Sequence, residues 1–134
     1  MIIEENPLSL SIPVNELAVF TCKGKCERKC SNVYWVINGT DANYRYEEPL
    51  AQFVQMGFTF SRDQESQYIY NTTLTVNATK AVNNTDVSCV FEDHGTASNH
   101  SLNATLKIIA GRNKYNKNLT AYYVTLHEKK DYWE

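Results

Sequence analysis

Apolar residues at every second position, in short runs separated by polar turns, constrain this chain most. "AVFTC" places Ala18, Phe20 and Cys22 on one face, and "VYWVI" does so with Val33, Trp35 and Ile37. "TTLTV" aligns Thr72, Leu74 and Val76, and "VSCVF" aligns Val87, Cys89 and Phe91. "SLNATLKI" aligns Leu102, Ala104, Leu106 and Ile108. Successive side chains of a strand point to opposite faces, so a period of two marks half-buried β-structure. No stretch carries a sustained helical stripe. Many short strands and no helix predict an all-β sandwich or barrel. "LSLSIPVNEL" fits a first strand, with Leu8, Leu10 and Ile12 alternating. Pro13 cannot donate to a ladder and marks a break or an edge.

The same parity bears on a second pattern. Asn-x-Ser/Thr triplets, the acceptor pattern for N-linked glycan, begin at Asn38, Asn71, Asn77, Asn83, Asn99, Asn103 and Asn118. The chain holds 14 Asn and 20 Ser plus Thr in 134 positions. Chance gives roughly two triplets on that composition, so seven is an excess of about threefold. Such triplets have meaning on a secreted or surface chain. Asn71 and Asn77 are opposite in parity to Leu74 and Val76, Asn103 to Ala104 and Leu106, and Asn38 to Trp35 and Ile37. Read as strand-borne, these four acceptors face solvent; a slip of one residue would bury them.

Composition narrows the class. At 134 residues the expectation is one domain with a piece of a second, and 43% hydrophobic content suffices for one packed core. A net charge of −2 argues against a polybasic nucleic-acid binder. No apolar run reaches the roughly 18 residues of a membrane span. "MIIEENPLSL" lacks the basic and long apolar regions of a signal peptide, so the chain is expected to be an excised piece of a longer product. Tethering is then expected through sequence beyond its C-terminal end.

Four cysteines, Cys22, Cys26, Cys30 and Cys89, suggest two disulfides, for which three pairings exist. Zinc is the rival reading, but "CERKC" is followed by no second close pair and no histidine partner.

Cys22 lies 13 residues before Trp35 and 67 before Cys89. A cysteine on strand B, a tryptophan on strand C and a cysteine on strand F resemble the immunoglobulin superfamily over about residues 6–110. The wide cysteine interval leaves room for C′ and C″ strands, so the domain looks V-set-like. The resemblance implies an immunoglobulin-like, two-sheet antiparallel Greek-key sandwich. It implies that Cys22 and Cys89 bridge the sheets with Trp35 packed on the bridge. That long loop is worth about 4 kcal/mol in the chain-entropy model. It further implies that strand A switches sheets near Pro13. Two departures stand out: Val87 occupies the tyrosine-corner position, and Asn83 the usual acidic position before it. "ATLKIIAG" has no Gly-x-Gly bulge, so antibody-like pairing is not implied. Cys26 and Cys30 would then close a small ring that stiffens the B–C loop.

Residues 111–117, "GRNKYNK", read as a linker. Residues 118–134, "NLTAYYVTLHEKKDYWE", resemble the opening strands of a fibronectin type III domain. A stalk, or one added strand on the sandwich, is the alternative.

Catalysis finds little support. His94, His100 and His127 stand in no triad or metal set, and neither a phosphate loop nor a Gly-x-Ser-x-Gly elbow is present. Glu47 and Glu48 read as a solvated turn more readily than as a calcium site. The expectation is a chain that is not an enzyme and needs no cofactor or metal. Lys23, Lys25, Arg28 and Lys29 surround "CKGKCERKC", and a B–C loop shares its end of the sandwich with the F–G loop carrying Glu92 and Asp93. This is either a charged recognition tip or a solvated loop pair. On the G-F-C sheet, parity points Tyr34, Val36, Val90, Thr105 and Lys107 outward. Tyr34, Val36 and Val90 flanked by Lys107 are the expected partner-binding patch.

The leading expectation is an extracellular recognition module of a cell-surface adhesion molecule or receptor, binding a protein ligand or a second copy. The alternatives are an ectodomain fragment of a receptor tyrosine kinase or phosphatase, and a soluble immune-type recognition protein.

Overall fold

A computed structural model of the chain describes residues 2–27, 29–43, 49–93 and 98–110. The expected linker and fibronectin-like segment, with Asn118 and His127, lie outside the described residues. So do Arg28, His94, Glu47 and Glu48.

The alternating runs form ten strands: β1 Ile2–Glu5, β2 Leu10–Pro13, β3 Leu17–Lys25, β4 Cys30–Ile37, β5 Thr40–Asp41, β6 Thr59–Gln64, β7 Ile69–Asn77, β8 Thr85–Asp93, β9 Ser98–His100 and β10 Ala104–Ile109. A five-residue helix, α1 Ala51–Gln55, and a 3-10 turn, Lys80–Val82, complete the described elements. One sheet has the order β1-β3-β7-β6. The other runs β2-β10-β8-β4-β5, with β9 also paired to β8. All described pairings are antiparallel except β10 with β2. The result is the all-β, two-sheet sandwich that the alternation predicts.

The core is the set of inward positions. Ala18, Phe20 and Cys22 of β3 and Leu74 and Val76 of β7 meet Val33, Trp35 and Ile37 of β4 and Val87, Cys89 and Phe91 of β8. The Cys22–Cys89 disulfide joins the sheets through this layer. Trp35, opposite Cys89 in the ladder, is fully buried. Its indole Nε1 donates to Thr72 Oγ1 at 2.8 Å, and that hydroxyl donates onward to the Ser61 carbonyl at 3.0 Å. A buried indole N–H needs such a partner, because an unpaired donor in the core costs about 1–3 kcal/mol.

Several expectations change. The first strand switches sheets at Pro7, not near Pro13: β1 pairs with β3, β2 pairs with β10, and Pro13 is paired as the last residue of β2. The sandwich therefore includes residues before the expected boundary at residue 6. Between β4 and β6 the described residues form the two-residue β5 and α1, in the interval where C′ and C″ strands were expected. Residues 51–55 are "AQFVQ", in which Ala51, Gln52 and Gln55 favour a helix and Phe53 is buried. Leu102 is exposed rather than inward. The register of β8 advances by one residue between His100 and Ala104, so 101–103 form a bulge that reverses the parity of Leu102. Ser101 bridges the break, donating its N–H to the Cys89 carbonyl and accepting the Cys89 N–H on Oγ.

Candidate functional site

The tip of the sandwich is built from the "CKGKCERKC" stretch. β3 ends at Lys25 and β4 begins at Cys30, and the Cys26–Cys30 disulfide closes the connection. Two further contacts fix it. The Cys26 N–H donates to the Tyr68 carbonyl in the turn before β7 at 2.9 Å. The Glu27 N–H donates to Asp93 Oδ2 at 2.7 Å. Asp93 is buried, at the end of β8, opposite Cys30. Glu92 and Asp93 therefore close the strand rather than sit in the following loop. The adjoining Ser31 Oγ donates to the Glu92 carbonyl at 3.1 Å. The side chains of Lys25, Glu27 and Lys29 remain exposed on this fixed backbone.

Lys23 belongs to a different surface. It lies on the outer face of β3 and pairs with Glu65 at 3.2 Å. That contact, a side-chain hydrogen bond first and the carboxylate charge second, raises the lysine pKa. Glu65 in turn is held below the ordinary carboxylate range, first by the Asn71 side-chain amide and then by Lys23.

The expected partner-binding patch is not an exposed patch. Parity places Tyr34 and Val90 on the outer face as read, yet Tyr34 is 6% and Val90 0% exposed. Val90 sits on the central strand β8, directly between Tyr34 of β4 and His100 of β9. A small β-branched side chain flanked closely on both sides is covered by its neighbours. Parity selects a face, but not the solvent access of that face. Val36 is half-buried, and Lys107 is exposed with Nζ 3.0 Å from Asn84 Oδ1. Nearby on β4, Asn32 Nδ2 is buried with no hydrogen-bond partner among the described residues.

The acceptor asparagines fall into two groups. Asn38, Asn77 and Asn103 are exposed, and Asn71, Asn83 and Asn99 are half-buried. Asn38 lies in the two-residue turn between β4 and β5, not on a strand, and Asn103 lies in the bulge before β10. Asn38 and Gly39 have φ of 50° and 83°, the left-handed pair that an Asn-Gly hairpin turn requires. Asn38 Oδ1 accepts the Asp86 N–H at 2.9 Å, and Asn83 Oδ1 accepts the Ile108 N–H at 2.8 Å. Asn83 thus ties the corner before β8 to β10. His100 is exposed on β9. Among the described residues no group of three or more His, Cys, Asp or Glu could hold a metal ion. Among them, too, no helix is long and apolar enough to cross a membrane.

No family model matches the chain, and no curated protein matches it. Among solved structures it is similar to the crystal structure of Rst D1-D2, with a TM-score of 0.57 and 11% sequence identity, over 81% of this chain and 48% of that one. The chain spans about half the length of that structure. The likeness is one of fold, and it agrees with the two-sheet β-sandwich described above.

Proposed function

We propose that the chain is an extracellular recognition module of the immunoglobulin type, V-set-like in its cysteine and tryptophan spacing, from a cell-surface adhesion molecule or receptor. It is a binding module, not an enzyme, and its partner is a protein. The observation that carries this reading is the tip. A disulfide, a buried carboxylate and a backbone contact hold the loop backbone on which the side chains of Lys25, Glu27 and Lys29 are exposed. A loop fixed before binding loses little conformational entropy on binding, which favours affinity. No acceptor triplet begins before Asn38, so the tip segment at 25–30 carries no acceptor of its own. Two disulfides and the outward acceptors support the extracellular setting.

The test uses fluorescent beads coated with the domain, mixed with one another and with living cells. Saturable adhesion is expected, lost in Lys29→Glu and kept in Lys107→Glu. Equal adhesion by wild type and Lys29→Glu removes the tip. No saturable adhesion to cells or to a second copy removes the recognition role.

A further inference from the structure

The outer face of β3 carries an unexplained apolar pair. Leu17 is 58% and Val19 44% exposed on the stretch of β3 that pairs with β7 alone, the β1 pairings lying further along at Lys23, Gly24 and Lys25. The positions around them on that face are polar: Thr21 on β3, and Thr59 and Thr75 on β6 and β7, whose hydroxyls bond each other. The ladder places Asn77 directly opposite Leu17 and Thr75 opposite Val19. Directly opposed residues have Cβ atoms about 5 Å apart, and diagonal ones about 7–8 Å. Asn77 therefore faces Leu17 squarely and Val19 on the diagonal.

Its carboxamide is also open. Asn38 and Asn83 use Oδ1, and Asn71 uses Nδ2, in hydrogen bonds within the chain. The Asn77 carboxamide bonds to no described residue, and the side chain is exposed. Its backbone is held: Ala78 donates to the Glu16 carbonyl at 2.8 Å and accepts from the Asn15 N–H at 2.7 Å. The acceptor is fixed in position, and its amide nitrogen is available.

We infer that Asn77 carries an N-linked glycan whose first N-acetylglucosamine lies over Leu17 and Val19. This rests on the extracellular reading above. Asn77 Nδ2 attacks C1 of a lipid-diphosphate-linked oligosaccharide. The N–C1 bond forms, the C1–O bond to the diphosphate breaks, and the amide gives up one proton as the lipid diphosphate leaves. The attached sugar presents a C–H face and an N-acetyl methyl group, both apolar, to the two side chains. Its hydroxyls stay in water above the threonines. The exposed apolar pair is then the seat of the chain's own sugar rather than a protein-docking surface.

The experiment uses the full chain secreted from eukaryotic cells, with glycopeptide mapping at Asn77. Trimming to a single sugar gives one sample and complete removal gives another. The expected results are an NOE between the N-acetyl methyl and the Leu17 and Val19 methyls, and a Tm about 3 °C lower after complete removal. The Leu17→Ser/Val19→Ser variant is expected to lose that Tm difference. Thr79→Ala, which removes the acceptor triplet at an exposed residue with no side-chain cap, should reproduce the loss in wild type only. An unmodified Asn77, an absent NOE, or equal Tm losses in both backgrounds overturns the inference. If no acceptor at all is modified, the extracellular reading falls with it.

Discussion

Gly24→Ala should destabilise the sandwich by more than a strand substitution of this size suggests. Gly24 lies on the inward face of β3, paired with Ile3 of β1 on one side and Tyr70 of β7 on the other. A Cβ built there would stand 2.8 Å from three ring atoms of Phe91. Nothing nearby gives way easily. Phe91 is fully buried, two residues from the Cys89 bridge, and Gly24 is held by ladders on both sides. Overpacking of this kind costs about 1–3 kcal/mol. Replacing glycine recovers about 0.5–1 kcal/mol by restricting the unfolded chain. The net loss is about 1–2 kcal/mol, or a few degrees in Tm. Denaturant unfolding with disulfides intact, followed by tryptophan fluorescence, measures it. Phe91→Leu supplies the control, because a smaller side chain leaves room for the new methyl group. In that background Gly24→Ala should cost nothing or stabilise by up to about 1 kcal/mol. Equal costs in both backgrounds, or no cost in wild type, would refute the ring clash as the reason for glycine.

Other outcomes follow from the same structure. Thr72→Val keeps the shape but orphans Trp35 Nε1, and should cost about 1–3 kcal/mol in a chemical melt. Val90→Glu should abolish secretion of folded protein, because it buries a charge at a fully covered site, whereas Lys107→Glu on the same face should secrete normally; the secreted yield of each decides. Glu65→Gln tests the surface pair. The lowered Glu65 pKa stabilises the fold above the ordinary carboxylate range, and that contribution is lost as pH falls through the lowered value. The raised Lys23 pKa acts below the ordinary lysine range, and its contribution is lost as pH rises through the raised value. The difference between wild type and variant should therefore peak near neutral pH, shrink below about pH 4 and above about pH 10, and fade with salt. A difference independent of pH would show that the pair contributes no charge interaction.

Much of the fold was legible because alternation reports directly on a two-faced element. Phe20, Trp35, Leu74, Cys89 and Phe91 all occupy the core face that parity assigned. Alternation fails where the ladder itself is irregular. The bulge at 101–103 reverses Leu102, and a bulge leaves little trace in the pattern of apolar residues. The Pro7 switch was missed because Pro13 offered the same signal closer to the second strand. Asn38-Gly39 between Ile37 and Thr40 marks a two-residue hairpin and places Asn38 in a turn. The partner-binding patch failed for a different reason. Tyr34 and Val90 face the side that was expected, but solvent access depends on cross-strand neighbours that the sequence does not pair. At the tip, the charged loop was legible from composition. The buried Asp93 that holds it was not, because an acidic residue before a polar stretch reads as a loop residue.

The most direct test of the account is a non-reducing peptide map, with glycan sites assigned, of the native protein taken from cells that make it. The expected map links Cys22 to Cys89 and Cys26 to Cys30, with sugar at the exposed Asn38, Asn77 and Asn103. Reduced thiols at these four cysteines together with bare acceptors would contradict it, and would place the chain in a compartment where no extracellular recognition module works.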